Sequence, residues 1–283
     1  WRMRGEAPSQ HDFDHVYTHQ LYAGFGHKQF GELTYGNMVT ITDEVKQSDL
    51  ANTYSLTDGL LETSARRVTQ YVYNGDYGSN KVKFGAYYGG SSKRNIKNVD
   101  LKNNRKNTWG TGLIFNHEID SIQNVTVAAG FTRQISENAN KTAYYSNAYA
   151  LGLAYNFVHT TYGLDLAHKD TKNKGGAGNK VKNNEVTAVI RQGLNEDWNV
   201  YAMYSYKTEK TLPAGSAYSK STDRQFLVGT EYYVFKQGSV KVKPFIEWQA
   251  TRTKYENTFD KDSGKQLDRS RDFKTVIGLR AYW

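Results

Sequence analysis

The sequence predicts an all-β fold, a transmembrane antiparallel β-barrel. Three observations predict it: period-two alternation along the whole chain, connections that are short and long in turn, and a last strand ending on an aromatic residue. That strand, residues 273–283, places Phe273, Thr275, Ile277, Leu279, Ala281 and Trp283 on one face. Lys274, Val276, Gly278, Arg280 and Tyr282 fall on the other. A membrane barrel pairs its last strand with its first and turns one face to lipid, which suits a strand with one greasy and one mixed face.

Fourteen segments carry the alternation. In order they are residues 1–6, 17–26, 31–36, 65–74, 81–88, 108–117, 125–133, 148–157, 161–169, 186–194, 199–208, 226–234, 242–251 and 273–283. In the fifth, Val82, Phe84, Ala86 and Tyr88 share a face. In the sixth, Trp109, Thr111, Leu113 and Phe115 stand opposite Gly110, Gly112, Ile114 and Asn116. In the eighth, Tyr149, Leu151, Leu153, Tyr155 and Phe157 oppose Ala150, Gly152, Ala154 and Asn156. A soluble sandwich would keep long charged side chains on its second face. Here that face is small or polar, as on the wall of a wet lumen.

Short connections fall at 27–30, 75–80, 118–124, 158–160, 195–198 and 236–239; long ones at 7–16, 37–64, 89–107, 134–147, 170–185, 209–225 and 252–272. The strict alternation of the two lengths matches a barrel with tight turns at one rim and long loops at the other. A sandwich has no reason for it.

Composition agrees. Hydrophobic residues make up 38% and mean hydropathy is −0.74, so no window reaches the ~18 apolar residues of a membrane helix. Twenty-two Tyr, 12 Phe and 5 Trp suit aromatic girdles at two lipid interfaces. Three prolines and 25 glycines suit many strands joined by tight turns. With no cysteine, disulfide frameworks and thiolate metal sites are excluded, and export through an oxidising compartment is permitted. The formal charge of +9 would ordinarily suggest nucleic acid, but much of it sits in loop-like segments rather than on a helix or compact patch. No signal peptide is present and residue 1 is Trp, so the reading is of a processed or partial product.

The stretch Leu21-Tyr22-Ala23-Gly24-Phe25-Gly26-His27-Lys28-Gln29-Phe30-Gly31-Glu32-Leu33-Thr34-Tyr35-Gly36-Asn37 resembles the paired strands before the constriction loop of Gram-negative general diffusion porins, most of all the Pasteurellaceae type. The family pattern reads aromatic-Ala-Gly, a short turn, then Phe-Gly-x-x-x-x-Gly. The likeness in kind extends through the Arg66-Arg67 strand to Trp283, although only the early stretch and the C-terminus are specific. Family members have sixteen strands; the resemblance makes Trp1-Arg2-Met3-Arg4 the third, so the first two are expected to be absent. A complete fourteen-strand monomeric porin is the alternative. Residues 37–64 lack the Pro-Glu-Phe-Gly-Gly motif of enteric relatives, so constriction details do not transfer from them.

The resemblance implies one porin domain over 1–283, a third loop at 37–64 folded into the lumen, and a homotrimer in the outer membrane of a Gram-negative cell. Such a channel passes small hydrophilic solutes and ions, with no cofactor, reaction or nucleic acid. Its filter is electrostatic. The loop supplies Asp43, Glu44, Asp49, Asp58 and Glu62, with Lys46 as the single base. Facing bases are expected from Arg2, Arg4, Arg66 and Arg67, and from His19, which takes the place of a family wall arginine. Strict alternation sends one of Arg66 and Arg67 inward, and Arg66 is the inward one if Tyr71 and Tyr73 face lipid. Lys81, Lys83, Asp165, Lys169, Arg191, Glu231, Lys243, Glu247, Lys274 and Arg280 fall on the inferred lumen face as a mixed wet wall.

Lys93, Arg94, Lys97, Lys102, Arg105 and Lys106 crowd one connection against Asp100. They read as a solvated tip or as a site drawing lipopolysaccharide phosphates or anionic solutes. Lys172, Lys174, Lys180 and Lys182 flank Gly175-Gly176-Ala177-Gly178 in another. His11, Asp12, Asp14 and His15 read as a solvated loop rather than a metal site, and 260–264 lacks the acids of a calcium loop. No nucleophile elbow or phosphate loop appears. Rival readings are a barrel enzyme, for which no rim Ser/His or Asp/His pair is seen, and an adhesin or lipopolysaccharide-binding anchor acting through the basic loops.

Overall fold

Alternating side chains force a pleated ribbon, and long ribbons joined by tight turns pair with their neighbours. The computed structural model describes residues 2–3, 16–17, 20–92, 104–138, 141–174, 179–212, 218–257 and 266–282. Two short strands, β1 (Arg2–Met3) and β2 (Val16–Tyr17), pair with each other alone. The main sheet has 14 antiparallel strands. They are β3 (Leu21–His27), β4 (Gly31–Val39), β5 (Ser64–Tyr77), β6 (Asn80–Gly89), β7 (Asn104–Asp120), β8 (Gln123–Asn138) and β9 (Lys141–Phe157). There follow β10 (Thr160–Asn173), β11 (Lys180–Gly193), β12 (Trp198–Leu212), β13 (Ser219–Tyr232), β14 (Phe235–Gln237), β15 (Val240–Asn257) and β16 (Gln266–Tyr282). Long strands neighbour each other in chain order, and β14 is a short piece beside the start of β15. Among the described residues β3 and β16 are not paired with each other, so the sheet is open between them.

Twelve of the expected segments lie in this sheet, and a thirteenth, 17–26, joins it from Leu21 onward. The first does not. Arg2–Met3 pairs with Val16–Tyr17, while residues 1 and 4–6 lie outside the described residues. The remaining strand of the sheet, β14, falls partly in the expected 236–239 turn.

The expected long connections at 134–147, 170–185, 209–225 and 252–272 are mostly strand. Ser136 still faces Tyr144, Lys172 faces Lys180, Thr211 faces Ser219 and Asn257 faces Gln266. These hairpins extend far past the aromatic rows. There both faces carry polar residues, so side-chain alternation fades while the backbone ladder continues.

Side chains divide sharply between the two faces. The outer face exposes apolar rows, with Phe25 88%, Ile277 79% and Phe273 64% accessible, and Trp109, Tyr149, Tyr204, Phe226 and Trp248 beside them. Such rows do not pack into a dry interlayer, so a soluble sandwich is excluded. The inner face carries the segment between β4 and β5. Asn52 of that segment is bonded by side chains from four strands: Tyr201, Glu231, Glu247 and Arg280. A flat sheet would spread those strands over about 14 Å, so their convergence marks this face as concave.

Candidate pore constriction

The inward segment leaves β4 at Thr40 and rejoins β5 after Thr63, its neck closed by the Thr40 amide donating to the Thr63 carbonyl at 2.8 Å. The buried hydroxyl of Thr42 also ties the two sides, donating to the Glu62 carbonyl at 2.7 Å. A 3-10 helix, Ile41–Val45, follows. Three apolar clusters then hold the segment down. Ile41 packs with Met38, Ala65, Val68 and Tyr87; Val45 and Leu61 pack on Ala128 and Ala148; Leu56 packs on Val189, Tyr201, Met203 and Leu227.

Glycines on the inner wall make room for it. A methyl group on Gly152 would stand 2.1 Å from the Val45 carbonyl oxygen, and one on Gly163 would stand 2.5 Å from that of Gln47. Only glycine lets two backbones approach so closely. The small residues that read as a wet wall are, over this region, the bed of the loop.

Three wall carboxylates grip the loop by its backbone amides. Asp165 of β10 accepts from Gln47 N at 2.9 Å, Ser48 N at 2.8 Å and Ser48 Oγ at 2.5 Å. Glu185 of β11 accepts from Asp58 N at 2.8 Å and Gly59 N at 3.1 Å. Glu247 of β15 accepts from Asn52 N at 2.5 Å, Thr53 N at 3.0 Å and Tyr54 N at 2.9 Å. Consecutive amides aimed at one anion form a nest, and the carboxylate satisfies donors that would otherwise be buried unpaired.

All five expected loop acids are brought to this segment, each within reach of a lysine. Glu44 pairs with Lys83 at 2.5 Å, Asp58 with Lys207 at 2.6 Å and Glu62 with Lys169 at 3.1 Å. Asp43 and Asp49 share Lys46 at 3.2 and 3.6 Å. Burial alone would depress the Lys46 ammonium, but the Asp43 and Asp49 carboxylates outweigh it and raise its pKa above the usual lysine value. Near the far end of the loop, Glu231 is bonded by Arg191, by Lys243 at 2.5 Å and by the Asn52 amide at 2.8 Å.

Arg66 and Arg67 behave differently from expectation. Strict alternation fails there, because Gly36 faces Val68 while Met38 faces Ala65, a bulge in which Arg67 takes a left-handed φ of 53°. Both arginines are exposed, and neither meets a loop acid. Arg4 and His19 lie outside the described residues, and Arg2 is described through its backbone alone. Of the loop cluster, Lys93, Arg94, Lys97 and Lys102 also lie outside them. Arg105 is no solvated tip: its guanidinium donates to the Gly90 carbonyl at 2.9 Å and to that of Arg66. Lys106 stands 4.0 Å from Glu137.

Sequence reasoning passed over two residues that matter. Lys207 shares the inward face of Tyr201, Met203 and Ser205, so the alternation of its own strand pointed to it. Glu185 was hidden by its assignment to a connection. The His11–His15 quartet lies outside the described residues, among which no group of three metal-ligating side chains occurs.

A concave wall, greasy outside and charged within, carrying an inward loop on its inner face, defines a membrane β-barrel channel. The family model for Gram-negative porins matches residues 4–244, and the chain belongs to that family. A major outer membrane protein of Pasteurella multocida is 24% identical over 274 residues, which cover 95% of this chain and 68% of that protein. Solved OmpT of Vibrio cholerae superposes with a TM-score of 0.65 at 16% identity, over 94% of this chain and 80% of that one. An anion-selective porin from Comamonas acidovorans gives a TM-score of 0.52 at 14% identity, over 90% and 74%. The fold is therefore that of outer-membrane porins, and the protein forms a diffusion channel in the Gram-negative outer membrane.

Proposed function

We propose that residues 37–64 set the size and charge filter of this channel, within a single porin domain over 1–283. Small hydrophilic solutes and ions pass by diffusion, and no bond is made or broken. The pairing of loop acids with wall lysines carries the reading: Lys83, Lys169 and Lys207 reach Glu44, Glu62 and Asp58 from three different strands. Exposed carboxylate surface on Asp43, Glu44 and Asp58 then faces the open side of the lumen. Arg66 and Arg67, exposed on β5 near the loop's return, supply positive charge from the side. Arg2, Arg4 and His19 extend that basic side by the family likeness.

Lipid surrounds the apolar outer face, and assembly as a homotrimer agrees with the trimer form reported for OmpT of Vibrio cholerae. Lys93, Arg94, Lys97 and Lys102 add positive charge to the sequence between β6 and β7, with Lys106 early in β7, and by the family likeness this charge steers anions toward the channel. Reversal potentials under a salt gradient test the filter. Neutralising Asp43, Glu44 and Asp58 together should move selectivity toward anions, and an unchanged potential would remove the loop acids from the filter.

A further inference from the structure

Beyond the loop, strands β12, β13, β15 and β16 sort their charges by face. On β13 the inner face that presents Leu227 to Leu56 of the loop next presents Gln225 and Asp223, toward the long hairpins. Asp223 lies four residues past Leu227, about 13 Å along the wall from that anchor. One row further, Glu209 of β12 stands directly opposite Ser221 of β13, which stands opposite Tyr255 of β15, which stands opposite Asp268 of β16. Tyr255 is 42% accessible, although it shares the inner face of its strand with the buried Glu247. Lys207, the base directly opposite Asp223, is taken by Asp58 of the loop at 2.6 Å. Glu209 accepts the Asn183 amide at 2.9 Å, and among the described residues no basic side chain pairs with Glu209, Asp223 or Asp268. Asp223 Oδ1 and Gln225 Oε1 are buried atoms that accept no hydrogen bond among the described residues. Buried oxygens are seldom left so, and each calls for a donor. Both side chains are otherwise only half-buried, so a solute in the lumen reaches them.

We propose that this inner-face patch binds the ammonium group of small primary amines on their way to the filter. The two orphaned atoms are acceptors, and a primary ammonium is all donor, with three N–H groups and no lone pair. The exposed ring of Tyr255 presents its face to the cation. Asp268, about 5 Å away across the strands, and Asp223 on the diagonal supply the counter-charge. An anion meets carboxylates here, and a neutral alcohol gains little from either ring or carboxylate. The patch is separate from the loop acids, which meet lysines of the wall. The proposal rests on the water-filled lumen of the diffusion reading.

The test titrates the purified full chain in detergent with butylammonium and follows binding by saturation-transfer NMR on the amine. Comparison probes are tetramethylammonium, a cation without N–H donors, then 1-butanol and butyrate, with calcium ion as a competitor. Parent protein should bind butylammonium at least about tenfold more tightly than 1-butanol or butyrate, with tetramethylammonium between them. The variant Asp223→Asn, Asp268→Asn should weaken butylammonium binding at least about tenfold. Tyr255→Leu should weaken it about fivefold, and this exposed position keeps the test open if the carboxylate variant fails to fold. Glu32→Gln, Asp76→Asn removes as much charge near the short turns and should bind as the parent does. Equal affinity in the parent and both patch variants would overturn the proposal, as would an equal loss in the charge-matched variant. Equally tight binding of butyrate, 1-butanol or tetramethylammonium would also overturn it, and full displacement by equimolar calcium would reassign the patch to a metal cation. No current is read, so the diffusion reading stands or falls separately.

Discussion

Glu247 lies 195 residues beyond Asn52, yet its carboxylate accepts the Asn52 amide at 2.5 Å. The amides of Thr53 and Tyr54 donate to the same group at 3.0 and 2.9 Å. A loop that would otherwise swing in the lumen is thereby fastened to the far wall by one side chain. Asp165 and Glu185 repeat the device at two other points.

Glu247→Ala removes the acceptor from three amides and leaves Tyr201 without its 2.7 Å partner. Hydrogen bonds to a charged group contribute about 1.5–3 kcal/mol each, and an orphaned buried donor costs about as much again. Local attachment of the loop should weaken by about 3–5 kcal/mol while the sheet persists. Single-channel recordings should show new current fluctuations, and protease should cleave between residues 48 and 58. Quiet, uncleaved channels would mean that the apolar clusters hold the loop unaided.

Gly152→Ala places a methyl group 2.1 Å from the Val45 carbonyl, which cannot yield without moving the loop backbone. The loop should lift into the lumen and unit conductance should fall. Gly90→Ala is the control, since nothing lies within 4 Å of its added carbon. Its conductance should match the parent.

Lys83→Met strips Glu44 of its partner at 2.5 Å and uncovers a carboxylate in the lumen. Reversal potential should shift toward cations. Because the Debye length falls from about 10 Å at 0.1 M salt to about 3 Å at 1 M, the shift should be largest in dilute salt. A shift of equal size at both concentrations would point to altered pore width instead.

Lys46 holds its proton more tightly folded than free, as the Asp43 and Asp49 carboxylates demand. Its stabilising contribution is fully present below the ordinary lysine value of 10.5 and is lost only as pH rises through the higher folded value. Lys46→Met should therefore loosen the loop at pH 7, with protection from protease as the measure. In the parent, protection lost through this group should begin only above pH 10.5.

The architecture was readable because a lipid-facing wall imposes a two-residue period on every strand. Where that demand stops, legibility stops too. At 134–138, 141–147, 252–257 and 266–272 both faces carry polar residues, so paired strands show little alternation of polar and apolar and read as loops. Alternation also misled at Arg66 and Arg67, because a bulge adds a residue and no local sequence sign announced it. The acids of the loop were legible by composition, and alternation put Lys83 and Lys169 on the lumen face, but which acid each lysine meets was not legible and Lys207 was passed over. Lys83, Lys169 and Lys207 sit on three different strands and are gathered only by the curl of the sheet. Glycines such as Gly152 were noticed as small, but their purpose depends on a loop that crosses them from elsewhere in the chain.

Unit conductance in planar bilayers, compared between the parent and a variant whose residues 46–60 are replaced by two glycines, tests the central claim most directly. A loop that narrows a water-filled lumen predicts steady current from the parent and a larger unit step from the variant. A parent that carries no current, or a variant whose unit step is unchanged, would contradict it.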